Sequence, residues 1–272
     1  MNRSITSAIA IILLLTAIVG APLKRANALT FVIDFDPIIT FQGNTMSAFD
    51  VTPYGFVAGQ RDTVISSIMT ELRNDFHNIV SPSIPSGMQL AINFVEGSTS
   101  DGGATANGDA EYYYIAVGNG NGSTPLGEAF LNGVNVFGPG NMLGAIYTDE
   151  IFTSIYNANG TPGDLFQTTH AIEGTLAHEI GHTLNLEHCV FSSSVTPNGL
   201  DPLMASGATG LPNASRVTNR EFSTSCNISG GTQTSIDLLV SNVGLEDTPV
   251  VPEPATILIF GIGLVGFRFM RR

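Results

Sequence analysis

Residues 178–188 read HEIGHTLNLEH, and the rest of the chain is interpreted from them. His178 and His182 are four apart. On an α-helix that spacing puts both imidazoles on one face, one turn apart, within reach of a single metal ion. Glu179 sits beside the pair, where its carboxylate can reach a water on that metal. A helix cannot carry a residue six past His182 back to the same point, so the chain must turn first. Asn185 stands where that turn is needed, and Asn is second only to Gly in tolerating the left-handed conformation that stops a helix. Leu186 and Glu187 follow, and His188 then swings back as a third ligand. Three protein ligands plus a water is the open arrangement of catalytic zinc, with the adjacent carboxylate as general base.

A helix over this motif begins near 168 or 169, with Ile180 and Leu184 facing the core and Gly181 permitting close packing. Upstream, 29–36 alternates as a strand. Residues 62–80 place Val64, Ile65, Ile68, Leu72, Phe76 and Ile79 on one helical stripe, with Asp62 as N-cap and Pro82 and Pro85 beyond the end. Residues 88–97 and 111–118 read as strands, 134–138 and 145–148 as short strands, and 150–156 as strand or short helix. From 190 onward loops dominate, with a short helix over 216–226. This order predicts an α/β fold in which two helices cover one twisted, mixed, mostly parallel sheet, followed by a loop-rich C-terminal subdomain.

The two ends read as addresses. Arg3 is followed by the apolar run AIAIILLLTAIVG at 8–20 and then Ala26-Asn27-Ala28, the layout of a secretory signal peptide with cleavage near Leu29. At 251–272 come Pro252-Glu253-Pro254, an apolar run from Ala255 to Phe267, and a basic end. That run is shorter than the ~20 residues that span a bilayer comfortably, which makes it a marginal transmembrane segment. The tripartite segment resembles the PEP-CTERM sorting signals of Gram-negative bacteria. The resemblance implies handling by exosortase-like machinery and export to the cell surface, outer envelope or extracellular matrix.

The extended motif at 178–188 resembles the metzincins, a family of zinc endopeptidases. Gly is usual there at the turn occupied here by Asn185. Glu187-His188 is similar to reprolysin (adamalysin-like) members, although Cys189 stands where they have Asp. The resemblance covers about fifty residues, with its specificity concentrated in 178–188. It implies a metzincin-like catalytic domain over 29–250, between a signal peptide at 1–28 and a sorting or anchor segment at 251–272. It implies His178, His182 and His188 as Zn2+ ligands, Glu179 as catalytic base and acid, and an exported metalloprotease acting on proteins or peptides. It also implies a Met-turn at Asp201-Pro202-Leu203-Met204, with ordinary core packing as the alternative role for Met204. EFSTSC at 221–226 is similar to the Phe-Ser…Cys of the reprolysin C-terminal helix. Substrate would lie along an edge strand drawn from 133–148.

Cys189 and Cys226 are the only cysteines. In an oxidising compartment they are candidates for a disulfide; two buried thiols, or Cys189 competing for the metal beside His188, are the alternatives. His170 and His77 read as solvated residues rather than ligands. Asp101 and Asp109, in a Gly-rich loop, are candidates for Ca2+, although a polar hairpin connection accounts for them as well.

The chain carries 10 Lys+Arg against 23 Asp+Glu, a formal net charge of -13, which excludes nucleic acid as partner. Between 29 and 250 only Arg61, Arg73, Arg216 and Arg220 are basic, against twenty-two acids, so that span nets −18. Its field favours neutral or basic substrates over acidic ones, an effect that salt screens. A different class of function fits the same ligands: a non-catalytic, metal-binding protein of the cell surface or extracellular matrix. Glu179 weighs against it, because a structural site is closed by a fourth ligand and needs no base.

Overall fold

A computed structural model describes residues 28–97, 112–120, 122, 125–190, 201–206 and 211–249. The signal peptide, the Asp101–Asp109 loop and the C-terminal sorting segment lie outside the described residues.

The fold is mixed α/β. Its strands begin with β1 (Leu29–Asp34), β2 (Ile39–Phe41) and β3 (Asn44–Ala48). Helix α1 (Arg61–His77) precedes β4 (Met88–Leu90), β5 (Ile92–Gly97) and β6 (Tyr112–Asn119). Then come β7 (Gly127–Ala129), β8 (Met142–Tyr147) and helix α2 (Leu165–Thr183). β1, β5, β6 and β8 run parallel, with β1 between β5 and β6 and β6 between β1 and β8. β7 pairs antiparallel with β8 and ends that side of the sheet. The β2–β3 hairpin joins the C-terminal end of β6, making seven strands.

Side chains alternate across this sheet as the period of two requires. Phe31, Ile33, Ile115 and Val117 join the main core with Val64, Ile68, Leu72 and Phe76 of α1 and Ile172, Leu176 and Ile180 of α2. Ala116 and Tyr147 point the other way, into a small cluster with Phe41 and Met46 under the hairpin. The expected helical stripe is therefore the buried face of α1. Its ends differ from expectation. The helix starts from the 3-10 turn Ala58–Gln60, so Gln60 is the N-cap and Asp62 sits in the first turn, where it complements the helix dipole. It ends at His77, leaving Ile79 beyond the helix but still packed on the core.

Two local expectations are corrected, and one left open is resolved. Residues 134–138 are not a strand: Gly133–Phe137 is a helical turn entered through Asn132 at φ 57. Gly133 lies against Leu143, and a Cβ there would come within 3.3 Å of it, so packing overrides the strand propensity of Val134 and Val136. The segment 150–156 is helical, a short α-helix Thr148–Ile151 running into a π-helical stretch Phe152–Tyr156. No helix covers 216–226. A 3-10 turn spans Asn213–Val217 and is followed by β10 (Arg220–Glu221), which pairs with β9 (Asp201–Pro202).

The C-terminal part is less loop-dominated than expected. β11 (Cys226–Ile228) and β12 (Gly231–Gln233) form a hairpin, and helix α3 (Ser235–Val243) buries Ile236, Leu239 and Val243 in the main core. β13 (Leu245–Asp247) then returns to pair with β4. The expected transmembrane segment at 255–267 lies outside the described residues, and no helix among the described residues is long and apolar enough to cross a membrane.

Candidate metal centre

Helix α2 carries the motif. Asp164 caps its start, accepting from the Gln167 N–H at 3.1 Å, so the helix begins a few residues before the sequence suggests. Its other end is a left-handed stop. Asn185 has φ 69. The Asn185 N–H donates to His182 O and the Leu186 N–H to Gly181 O, each at 2.9 Å. Those two bonds are the 5→2 and 6→1 pair of a Schellman stop, with Asn in the place Gly usually takes. Leu186 is buried, and the next two residues bring His188 back.

The three histidines converge. Their Nε2 atoms lie 3.1 Å (His178–His182), 3.0 Å (His182–His188) and 3.1 Å (His188–His178) apart. They form the group of potential metal-binding side chains found among the described residues. Nδ1 of His178 is 2.7 Å from the Leu203 carbonyl, and Nδ1 of His182 is 2.7 Å from the Leu186 carbonyl. A carbonyl only accepts, so both Nδ1 atoms carry the proton and both Nε2 atoms present lone pairs to the centre. Burial holds His178 well below the usual imidazole range, with its two histidine neighbours adding to the effect. Burial likewise pushes His182 down to about 4 and lowers His188. Neutral rings with inward lone pairs repel one another, and a shared cation relieves that repulsion.

Glu179 is 7% exposed. Burial first, then the charge of Glu128, raises its carboxyl to about 8. A cation at the histidines would draw it back down. Against Glu179 lies the edge strand β7: a Cβ on Gly127 would come within 2.8 Å of Glu179 Cγ. Glu128, next along, accepts from Asn44 Nδ2 at 2.6 Å and Tyr147 Oη at 2.8 Å. The strand beside the site is therefore 127–129. The segment 133–148, where an edge was expected, contributes a helical turn and the interior strand β8.

Met204 lies beneath the helix. A Cβ on Gly181 would meet its Sδ at 2.5 Å, so the close packing that Gly181 permits is with Met204. The preceding Leu203 carbonyl holds His178, and the Met204 carbonyl accepts the Cys189 N–H at 2.8 Å. Cys189 and Cys226 are joined in a disulfide, their Cα atoms 5.5 Å apart, which takes Cys189 out of competition for the metal. His170 is not at the centre. It is buried inside α2 rather than solvated, its ring edge-on to Phe166 at 4.2 Å, because the helix starts earlier than expected. His77 is also remote from the triad, half-buried with Nε2 2.7 Å from the Ile92 carbonyl.

Two cavities flank the histidines. The larger, about 540 Å³, is bounded by His178, Glu179, Gly127, Thr175, Arg216 and Arg220, among others. The smaller, about 370 Å³, is bounded by His182, His188, Leu131 and Val190. Sequence reasoning missed Gly127, Arg216 and Arg220 as site residues. Their approach to the motif is tertiary, and the available signal was the scarcity of arginine in an acidic span.

Residues 250–272 match the PEP-CTERM protein-sorting motif. That marks an exported protein sorted at the cell envelope by exosortase machinery, and it supersedes the transmembrane reading of the tail. No relative is found among curated protein sequences. Among solved structures the chain is similar to the GM1-bound form of the ECX AB5 holotoxin, at 16% identity and TM-score 0.36, covering 84% of this chain and 83% of that one. It is similar to a chaperone–substrate complex at 14% and 0.34, covering 80% of this chain but only 34% of that one. It is also similar to mature mirolysin of Tannerella forsythia in complex with a cleaved peptide, at 15% and 0.33, covering 79% and 92%.

Proposed function

We propose that the chain is an exported zinc endopeptidase of metzincin type, with residues 29–250 as its catalytic domain in a Gram-negative envelope. The observation that carries this reading is the convergence of three neutral imidazole nitrogens beside a buried carboxylate. The donor set suits zinc. Two nitrogens at a Zn–N distance of about 2.0–2.1 Å and tetrahedral angles lie about 3.3 Å apart, close to the separations here. His178, His182 and His188 would hold the ion, and Met204 beneath Gly181 would be the Met-turn. Zinc supplies Lewis acidity, lowering the pKa of a water and polarising a carbonyl oxygen. Glu179 accepts the proton of the attacking water and returns it to the leaving amine. Burial raises the proton affinity of Glu179 and a cation at the histidines would lower it, and those opposed effects suit a group that both takes up and returns a proton. An extended peptide would pair along β7, whose other side is bonded to β8. Gly127 keeps the strand close enough to set the scissile bond beside Glu179.

The test compares the purified protein with its Glu179→Gln variant for zinc content and for cleavage of a broad peptide mixture. One zinc in each and cleavage only by the parent is the expected result. Zinc without cleavage by either would instead favour a metal-binding surface or matrix protein, and absence of zinc from both would overturn the metal reading.

A further inference from the structure

His188 is held differently from the other two histidines. Nδ1 of His178 and Nδ1 of His182 each meet a backbone carbonyl at 2.7 Å. Among the described residues, the hydrogen-bonding contacts of the His188 ring run to the other two histidines alone. Glu187 and His188 are both exposed, so side-chain packing does not fix them either. The backbone on either side of His188 is fixed instead, and one hairpin fixes it.

Gln233 of β12 is 3% exposed, and its amide grips Glu187 at two points. Its Oε1 accepts the Glu187 N–H at 2.8 Å, and its Nε2 donates to the Glu187 carbonyl at 3.3 Å. Nε2 also donates to Ser235 Oγ at 3.1 Å, which orients the amide. Cys226 of β11 stands directly across the hairpin from Gln233 and is bonded to Cys189. Cross-strand partners project from the same face of a hairpin. One face therefore holds the residue before His188 and the residue after it. The Val190 N–H adds a bond to the Asn227 carbonyl at 2.7 Å.

We propose that the β11–β12 hairpin positions the third metal ligand, and that Gln233 is the positioning residue through which it acts. The inference rests on the metal reading of the three histidines and does not require turnover. Its physical basis is preorganisation. An exposed ligand on a free segment must be ordered when the metal binds, and the entropy lost lowers the affinity. A segment already held at Glu187 and Cys189 loses little. The Asn185 stop turns the chain back from the helix, and Gln233, 46 residues beyond Glu187, fixes where it arrives. Groups that orient ligands from outside the coordination shell are typically worth about 10–100-fold in metal affinity. A buried glutamine that served packing alone would contribute to stability and leave that affinity unchanged.

The test makes three measurements on the purified protein and on Gln233→Leu, Gln233→Glu and Gln89→Leu. These are zinc affinity by competition with a chromophoric chelator, visible absorption of the Co2+-loaded protein, and urea unfolding in chelator. Gln89 donates to Glu246 in the β4–β13 pair, so its replacement controls for the loss of a buried amide. Gln233→Leu should weaken zinc about tenfold or more and weaken the Co2+ absorption band. Gln233→Glu, whose oxygen still accepts the Glu187 N–H, should retain part of the affinity. Gln89→Leu should lower the urea midpoint and leave zinc affinity within about twofold. If Gln233→Leu fails to fold, Gln233→Glu against the parent decides. Zinc affinity and Co2+ absorption equal to the parent's in the folded Gln233 variants would overturn this inference and leave the metal reading standing. An equal loss of affinity in Gln89→Leu would assign the effect to stability and overturn it as well. A parent that binds no zinc overturns the metal reading, and this inference with it.

Discussion

Asn185 offers a quantitative handle on the centre, because a single backbone conformation there places His188. Its φ of 69 lies in the left-handed region. An L-residue with a Cβ pays about 1–2 kcal/mol there, and Asn pays less than Ala. Asn185→Ala should therefore cost about 1 kcal/mol of stability, and Asn185→Val, with its branched Cβ, about 2 kcal/mol. Asn185→Gly removes the remaining strain but frees the unfolded chain, so the two effects offset to within about 0.5 kcal/mol. For a domain of this size 1 kcal/mol moves Tm by about 2–4 °C. The Schellman bonds at 2.9 Å also lead into the Leu186 carbonyl that holds His182 at 2.7 Å, so the strain falls on the ligands as well. If metal binding must restore the native turn, each 1 kcal/mol weakens zinc about fivefold. Urea unfolding in chelator and zinc competition with a chromophoric chelator measure the two effects separately. The expected order of stability is Gly ≈ Asn > Ala > Val. An Ala variant as stable as the Gly variant, with equal zinc affinity, would refute a left-handed stop at 185.

Gly127→Ala puts a Cβ 2.8 Å from Glu179 Cγ, so it should displace the carboxylate and lower kcat/KM by about a hundredfold or more while zinc content stays at one; unchanged turnover would show that β7 does not set the position of Glu179. Replacing Cys189 and Cys226 by Ala opens a loop with a sequence separation of 37 and should cost about 4 kcal/mol in the chain-entropy model, read as a lower urea midpoint under oxidising conditions. The buried Asp75–Glu173 pair gives a pH dependence. Burial is the first cause that raises Asp75 from 3.8 to about 7, and burial raises Glu173 well above its usual range. A folded carboxyl with a raised pKa binds protons the unfolded chain has already lost, so its contribution is full below pH ~4 and is lost as pH rises toward 7. Asp75→Asn should flatten the fall in urea midpoint between pH 5 and 8; an unchanged slope would place the titration elsewhere.

The centre was legible because it is nearly all local. His178, Glu179 and His182 lie within about one helical turn, and His188 follows a stop whose chemistry Asn185 announces. The stripe of α1 and strands β1, β5 and β6 were legible for a similar reason, each having a clean period of its own. Where the reading failed, distant packing decided. Val134 and Val136 favour a strand, yet the segment turns because Gly133 must fit against Leu143. Residues 220–221 extend because they pair with 201–202, which no local pattern reveals. Helix α3 is a different kind of miss. Ile236, Leu239 and Val243 recur at helical spacing, and that period was there to be read.

Arg220 lines the cavity beside the histidines and also belongs to the scaffold behind it. Arg220 reaches past Gly174, where a Cβ would lie 2.1 Å from its Nη2, and so lies against α2 beside Glu173. Its charge lowers the proton affinity of both Asp75 and Glu173, with Glu71, Glu221 and His170 also bearing on the cluster. Burial raises both carboxyls and the Arg220 charge opposes that rise, so the two carboxyls titrate as one cluster under that charge. Arg220 is thereby spent on joining α1, α2 and β10, the scaffold on which the histidines stand. A variant that probes this support therefore belongs at 75, away from the histidines.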